Sequence, residues 1–502
     1  MIVMKRLFGI KLFSLCTIIL VSTVPLFAQE KPLGIFEGNS DIGDVLKKGS
    51  VTFNSVSNKY TVTGGGENMW YAKDALHYVW KKASGDFSIS SEISFPDTGG
   101  NAHRKACLII RQNLDPDAPY ADAVIHGDGL TSMQYRDVKG GPTREIQSNV
   151  KGPAKIKIQK EGNYVFMSVA PANENFRSAG GSFKIKFEEP FLIGLGVCSH
   201  DNKVSETAVF SNVEITNDLK ANSGETILES TLETISIESK DRKAIYTTGN
   251  YIEGAFWSAD GNHIFFSSKG QLNKLPRVGG NPQLFDTGLK NLGSSNGYSP
   301  DKKQLALSNY IGEHQSKIYL IPAESGEPKL LTQNASSWWH SWSPDGSTIL
   351  FSGMRNNNLD VYSIPANGGN ETRLTTQPGT DDGPEFSPDG KYIYFNSDQS
   401  GLSQIWRMKP DGSGQEQITS DEYNNWFPHV SPDGKWIVFL SYEKNVKGHP
   451  ANQDVMLRII PAAGGEIDVL AKLFGGQGTF DVNSWAPDSK NLAFISFRLV
   501  RK

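Results

Sequence analysis

Four titratable residues, His340, Asp382, Glu385 and His429, stand just upstream of turns that recur through the second half of this 502-residue chain. Imidazole and carboxylate groups held on rigid strands are what proton transfer to and from a substrate needs, so these four are the candidate catalytic residues. Glu253, Asn296, Trp338, Trp339, Asp381, Asn424, Asn425 and Trp426 occupy similar places, as do Asp481 and Asn483. Arg355 and His449 come from loops, His449 within the insertion at 443–453, and Gln477 from a Gly-Gly-Gln-Gly crossing. Indoles, amides, acids and imidazoles around one opening suit a polyhydroxylated ligand, whose rings stack on aromatic faces and whose hydroxyls bridge to amides and acids. Each residue also has a plainer reading. His340 and His429 can hydrogen-bond within their strands, Asp381 and Asp382 can cap turns, and Trp338, Trp339 and Trp426 can pack between neighbouring sheets. A glycosidase pair drawn from Asp382, Glu385 and Glu253 stays open, because the separation of two carboxylates decides that chemistry and sequence does not show it.

The elements that position these residues are set by a repeat. Aligned on the aspartate, its copies are Trp257-Ser-Ala-Asp260-Gly, Tyr298-Ser-Pro-Asp301-Lys, Trp342-Ser-Pro-Asp345-Gly, Phe386-Ser-Pro-Asp389-Gly, Val430-Ser-Pro-Asp433-Gly and Trp485-Ala-Pro-Asp488-Ser. Their spacings are 41, 44, 44, 44 and 55 residues. A period in the forties, with an aromatic and β-branched run after each turn, indicates four-stranded propeller blades rather than a helical solenoid. Six copies predict six blades. Serine, proline and glycine at these offsets predict a type I turn joining the innermost strand to the second. The start of each innermost strand, where the candidate site residues fall, then opens on the face opposite the turns. Only one hairpin follows the sixth turn, which would leave an unpaired edge. The runs Glu233 to Glu238 and Ala244 to Thr248 are predicted to supply the two missing strands and close the ring, so the propeller begins near residue 226.

Residues 31–217 lack both the repeat and any helical period. Short alternating runs such as Phe87 to Phe95, Ala106 to Arg111, Tyr164 to Ser168 and Phe191 to Gly196 predict a β-sandwich, and the small polar stretch 218–225 reads as a linker. Residues 1–28 carry Lys5, Arg6 and Lys11 ahead of an apolar run and end Pro-Leu-Phe-Ala, the pattern of a secretory signal peptide. Its removal takes the formal charge from −4 to −7, a balance that invites neither nucleic acid nor an anionic membrane, and leaves no stable membrane span. The expected compartment is periplasmic or extracellular. Cys107 and Cys198 would then remain, as one disulfide or as two buried thiols.

The repeat at 257–497, Trp-Ser-Pro-Asp-Gly followed by an Ile-x-Phe strand, resembles that of TolB-type propellers. Leu108-Ile-Ile-Arg111, the stretch 126–136 and Phe210 to Ile215 resemble a concanavalin-like lectin or glucanase jelly roll. The expected architecture is therefore all-β: a jelly-roll sandwich, then a six-bladed propeller over 226–502. The first resemblance implies an envelope or secreted binding protein that recognises a saccharide or an envelope protein through the loop face of the propeller. Oligogalacturonate lyases share this broad fold. By that resemblance the alternative is an oligosaccharide lyase or hydrolase, with a divalent metal as the conceivable cofactor on His340 and His429. Six repeats instead of seven, and no third histidine on an innermost strand, depart from the lyase pattern.

Overall fold

A computed structural model describes residues 33–152, 154–171, 174–217, 226–324 and 326–501; the expected signal peptide and linker lie outside them. The described residues are all strand, turn and loop, with no helix. Five four-stranded antiparallel sheets follow one another in chain order, each built as the repeat predicts. The third runs Ser337–Trp342, Thr348–Arg355, Asn358–Pro365 and Thr372–Arg373, in that spatial order.

The turn between the first two strands is locked by side chains as well as by proline. Ser343 donates its hydroxyl hydrogen to Asp345 at 2.5 Å and accepts the Thr348 N–H at 2.9 Å. Ser258, Ser387 and Ser431 repeat both bonds, so one hydroxyl uses its donor and a lone pair to close the corner. The serine hydroxyl and the Ser347 N–H hold the exposed Asp345 carboxyl down at about 2. The next residue takes a left-handed backbone, φ +73° at Gly346. Lys302 and Ser489 adopt the same region at 62° and 56° without glycine's freedom.

The sixth repeat does not build an independent blade, which corrects the expectation of six. Around its inner position, Trp485 makes a single bridge, to Leu492. The strand Asn491–Arg501 pairs instead with Thr226–Ser236 over eleven residues, from Thr226↔Arg501 to Ser236↔Asn491, and Thr226–Ser236 pairs with Arg242–Thr248. Arg242–Thr248 then continues, in parallel, onto Arg144–Lys151 of the amino-terminal half. This sector is thus part of a ten-stranded sheet. Ala486 lacks the hydroxyl that locks the other turns, and the Asn483 side chain is drawn away to Glu385 and the Val430 carbonyl, which leaves the inner segment irregular.

The amino-terminal half consists of that sheet and an eight-stranded one, with Val62, Ile89 and Phe210 of the second packed against Leu108, Ala123 and Ile193 of the first. Cys107 and Cys198 are free, buried thiols. Arg111 and Arg136 clamp Asp74 at 2.6 and 2.7 Å, all three buried, and use the side of the large sheet turned away from that core. The halves are joined by more than backbone pairing. Buried Arg242 binds Glu233 at 2.6 and 2.9 Å and donates to the Ser182 carbonyl at 2.9 Å, while Tyr164 and Lys184 both reach Asp454. Removing one partner of a buried pair strands the other charge. Arg242→Ala is expected to lower unfolding free energy by about 3–5 kcal/mol, measured by urea denaturation, whereas Lys184→Ala on the half-exposed pair should cost under about 1 kcal/mol.

Candidate functional site

Counting back seven residues from each repeat aspartate gives Glu253, Ser294, Trp338, Asp382, Trp426 and Asp481, a ring of equivalent positions near the start of the innermost strands. In each of the five regular blades the pairing of innermost and second strand shifts register just after or at this point, for example between Asp382 and Glu385 and between Trp426 and His429. Such a bulge re-aims the side chains beside it. It turns Asp382 and Glu385, three residues apart, to different partners.

Asp382 accepts the Ser352 hydroxyl at 2.5 Å and the Gly383 N–H at 2.8 Å, with His340 Nε2 at 3.4 Å and His449 Nε2 at 3.7 Å. Burial works against its charge, but His340, then His449 and Ser352, outweigh it and hold the carboxyl well below the usual range. Glu385 binds His429 Nδ1 at 2.7 Å through one oxygen and receives the Val430 N–H and the Asn483 amide, each at 2.7 Å, on the other. The four candidate catalytic residues therefore form two separate histidine–carboxylate pairs. His449 continues the first pair outward. It hydrogen-bonds Gln477, and Gln477 donates to Asp481 at 2.8 Å. Asp481 also accepts the Gly478 N–H, yet burial raises its pKa. Glu253 nearby is pushed up to about 8, by burial first and then by Asp481. Tyr251 donates to the Gln477 carbonyl at 3.0 Å, and Trp338 hydrogen-bonds Tyr310.

The polar residues divide between the two ends of the channel rather than sharing one mouth. Asn296, Trp339, His340 and Glu385 border a cavity of about 410 Å³ whose rim is made by the turn prolines Pro300, Pro344, Pro388, Pro432 and Pro487. That is the turn end, opposite the expected face. Glu253, Trp338, Asp382, His449, Gln477 and Asp481 gather toward the loop end.

Several expected ligand residues belong to packing. Arg355 is tied to Glu371 at 3.1 Å and to the carbonyls of Ala335 and Ser336, at the outer part of the third blade. Asp381 is turned to Ser397 and Thr375, and burial beside Asp360 lifts it to about 6. Asn424 caps the insertion through the carbonyls of Glu443, Lys444 and Val446. Asn425 bonds Gln404, Thr419 and Ser441 between blades. Asn296 donates to the Gly293 carbonyl at 2.7 Å and closes its own bulge. Trp339 and Trp426 are core residues at 5% and 4% exposure. Ser294 and Ser352 escaped notice in the sequence; the aspartate offset would have found Ser294, but nothing local marks Ser352 as the partner of Asp382. Among the described residues no group of three histidine, cysteine, aspartate or glutamate side chains is placed to hold a metal ion, and His340 and His429 serve different carboxylates.

Two tests follow from this geometry. Trp426→Ala removes a buried ring whose centroid lies 4.7 Å from that of His449, the two planes tilted by 60°, and is expected to cost about 3–5 kcal/mol; Trp338→Ala, at the partly exposed mouth, should shift the melting temperature far less in the same calorimetric series. Because the folded protein raises Glu253 from 4.5 to about 8, it prefers the protonated acid: that contribution is whole below 4.5 and is lost as pH rises through about 8. The melting temperature of Glu253→Gln minus that of the parent should therefore climb across this window, and a flat difference would contradict the assignment.

The model of the TolB β-propeller domain matches residues 278–496. An uncharacterized protein of Agrobacterium fabrum strain C58, Atu1656, is 40% identical over 272 residues, covering 54% of this chain and 93% of that relative. A solved structure of a candidate TolB from Agrobacterium tumefaciens is 39% identical, with a TM-score of 0.53, and covers 55% of this chain and all of its own. TolB from Acinetobacter baumannii aligns at 14% identity and a TM-score of 0.41, over 64% of this chain and 79% of its own. None of these bears on a jelly-roll assignment for the amino-terminal half. With 93% of a 40%-identical relative covered and the domain matched across the repeats, the chain belongs to the TolB-type β-propeller family.

Proposed function

We propose that this is an exported, envelope-facing binding protein whose propeller receives a protein partner at the loop end of its channel. The observation that carries the reading is the condition of the polar groups there. Asp382 is held there by the Ser352 hydroxyl, the Gly383 N–H and His340, so it sets shape and charge, while the partly exposed His449, Trp338 and Glu253 present side-chain surface to a partner. Partly desolvated aromatic and polar groups around a channel mouth are the composition of a binding hot spot. Membership of the TolB-type family supports a periplasmic setting and a protein partner. No helix among the described residues is long and apolar enough to cross a membrane. The proposed division is a signal peptide at 1–28, a concanavalin-like sandwich at 31–217, a linker at 218–225 and the propeller at 226–502, with the sandwich extending the partner surface.

A photo-crosslinking residue at position 338 should capture a partner from an envelope extract, and one at Lys391, on the turn end, should not. The purified partner should then bind the Trp338→Ala, His449→Ala double variant at least about tenfold more weakly. Equal capture from both ends, or unchanged affinity in the double variant, would remove the loop end from the reading.

A further inference from the structure

The turn end of the channel carries a cavity of its own. At about 410 Å³ it lies in the size range of small-molecule sites. Its walls are the residues that precede the turn serines, led by Trp257, Tyr298 and Trp342. In five of the six repeats this position is aromatic, so the fold arranges ring faces around one axis. Trp257 and Tyr298 are only partly buried, which leaves ring surface open to the cavity. The inner end is polar. Asn296 and His340 line it, and each keeps one buried polar atom, Asn296 Oδ1 and His340 Nδ1, without a partner; the indole N–H groups of Trp257 and Trp342 are in the same condition.

Charge narrows the ligand further. Glu385 is the lining carboxylate, and its bonds to His429, Val430 N–H and Asn483 already occupy both oxygens. Lys302 stands at the rim, where burial lowers its pKa. Neither sign of charge dominates. An apolar peptide side chain would fill the aromatic walls but offer no hydrogen bond to the unpartnered polar atoms at the inner end. A sugar ring meets both requirements: its C–H face stacks on indole and phenol, and each hydroxyl both donates and accepts.

We propose that this turn-end cavity is a binding site for a neutral saccharide, separate from the partner surface at the loop mouth. The site and its ligand class are independent of the partner reading.

The test uses the full-length protein with cellobiose, maltose and N,N′-diacetylchitobiose as probes in saturation-transfer NMR, followed by calorimetric titration. At least one disaccharide should receive saturation at its ring protons and protect tryptophan fluorescence from acrylamide. The Trp257→Leu, Tyr298→Leu double variant should raise its Kd about tenfold or more, and Trp338→Ala should leave it unchanged. If the double variant does not fold, Tyr298→Leu alone and the quenching measurement on the unaltered protein decide the matter. No transfer to any of the three sugars, or equal affinity in the folded wall variant, overturns the proposal. Binding of a proline-rich peptide at this end in place of the sugars overturns it as well. Loss of sugar binding only in Trp338→Ala would place the sugar at the loop mouth and also count against it.

Discussion

A ring of sheets holds together only if its first and last strands meet, and here that meeting is the eleven-residue pairing of Thr226–Ser236 with Asn491–Arg501. Unpaired strand edges are costly and invite association with other chains. The closing strands do a second job. Arg242–Thr248, the outer member of the sector, carries its hydrogen bonding across to Arg144–Lys151, so ring closure and docking of the amino-terminal half are one continuous sheet. The Glu233–Arg242 pair sits at this junction and also receives Ser496 and the Ser182 carbonyl. Gly181 packs tightly beside it: an added Cβ would fall 1.9 Å from a Glu233 oxygen and 2.4 Å from Arg242 Nη2, so a side chain there would displace the pair.

From that junction the contacts spread to the fifth blade. Tyr164 and Lys184 hold Asp454, and the Phe474 N–H donates to Ser182 at 3.2 Å, while Arg498 of the closing strand lies 3.8 Å over the Phe166 ring. The blade fastened in this way is the one that carries the insertion with His449. The amino-terminal half therefore braces the strands that flank the loop-end histidine and Gln477, which helps give the mouth a fixed shape. A preorganised mouth loses less freedom when a partner binds.

Inside the channel the governing constraint is the cost of burying charge. Carboxylates in a poorly solvated space must be paired or protonated. Asp382 and Glu385 take the first course, with His340, His449 and His429 as partners. Glu253, with less compensation, takes the second, and burial moves neighbouring Asp481 in the same direction. One channel thus holds groups with opposite responses to the same environment, and the difference comes from which neighbours the bulged strands deliver to each.

The repeat by itself determined the propeller, the place of the turns and the aromatic position before each, because an SPDG corner with its flanking strands is local chemistry that recurs in the sequence. Closure by strands upstream of the first repeat was also legible, since a lone terminal hairpin needs partners. Blade count was not. Whether the sixth repeat forms a separate four-stranded sheet depends on Ala486 in place of a serine, on Asn483 turning to Glu385, and on Arg242–Thr248 finding Arg144–Lys151, a contact between residues about a hundred positions apart. The site divided along the same line. Residue types near the channel could be read from their offset to the turn, but the end of the channel each one serves could not, because a bulge in each innermost strand of the five regular blades redirects its neighbours. Trp338 and Trp426 occupy equivalent positions in the repeat, yet one lines the mouth and the other is core. The insertion that lays His449 over the second ring is what separates them, and only the tertiary structure decides where that insertion goes.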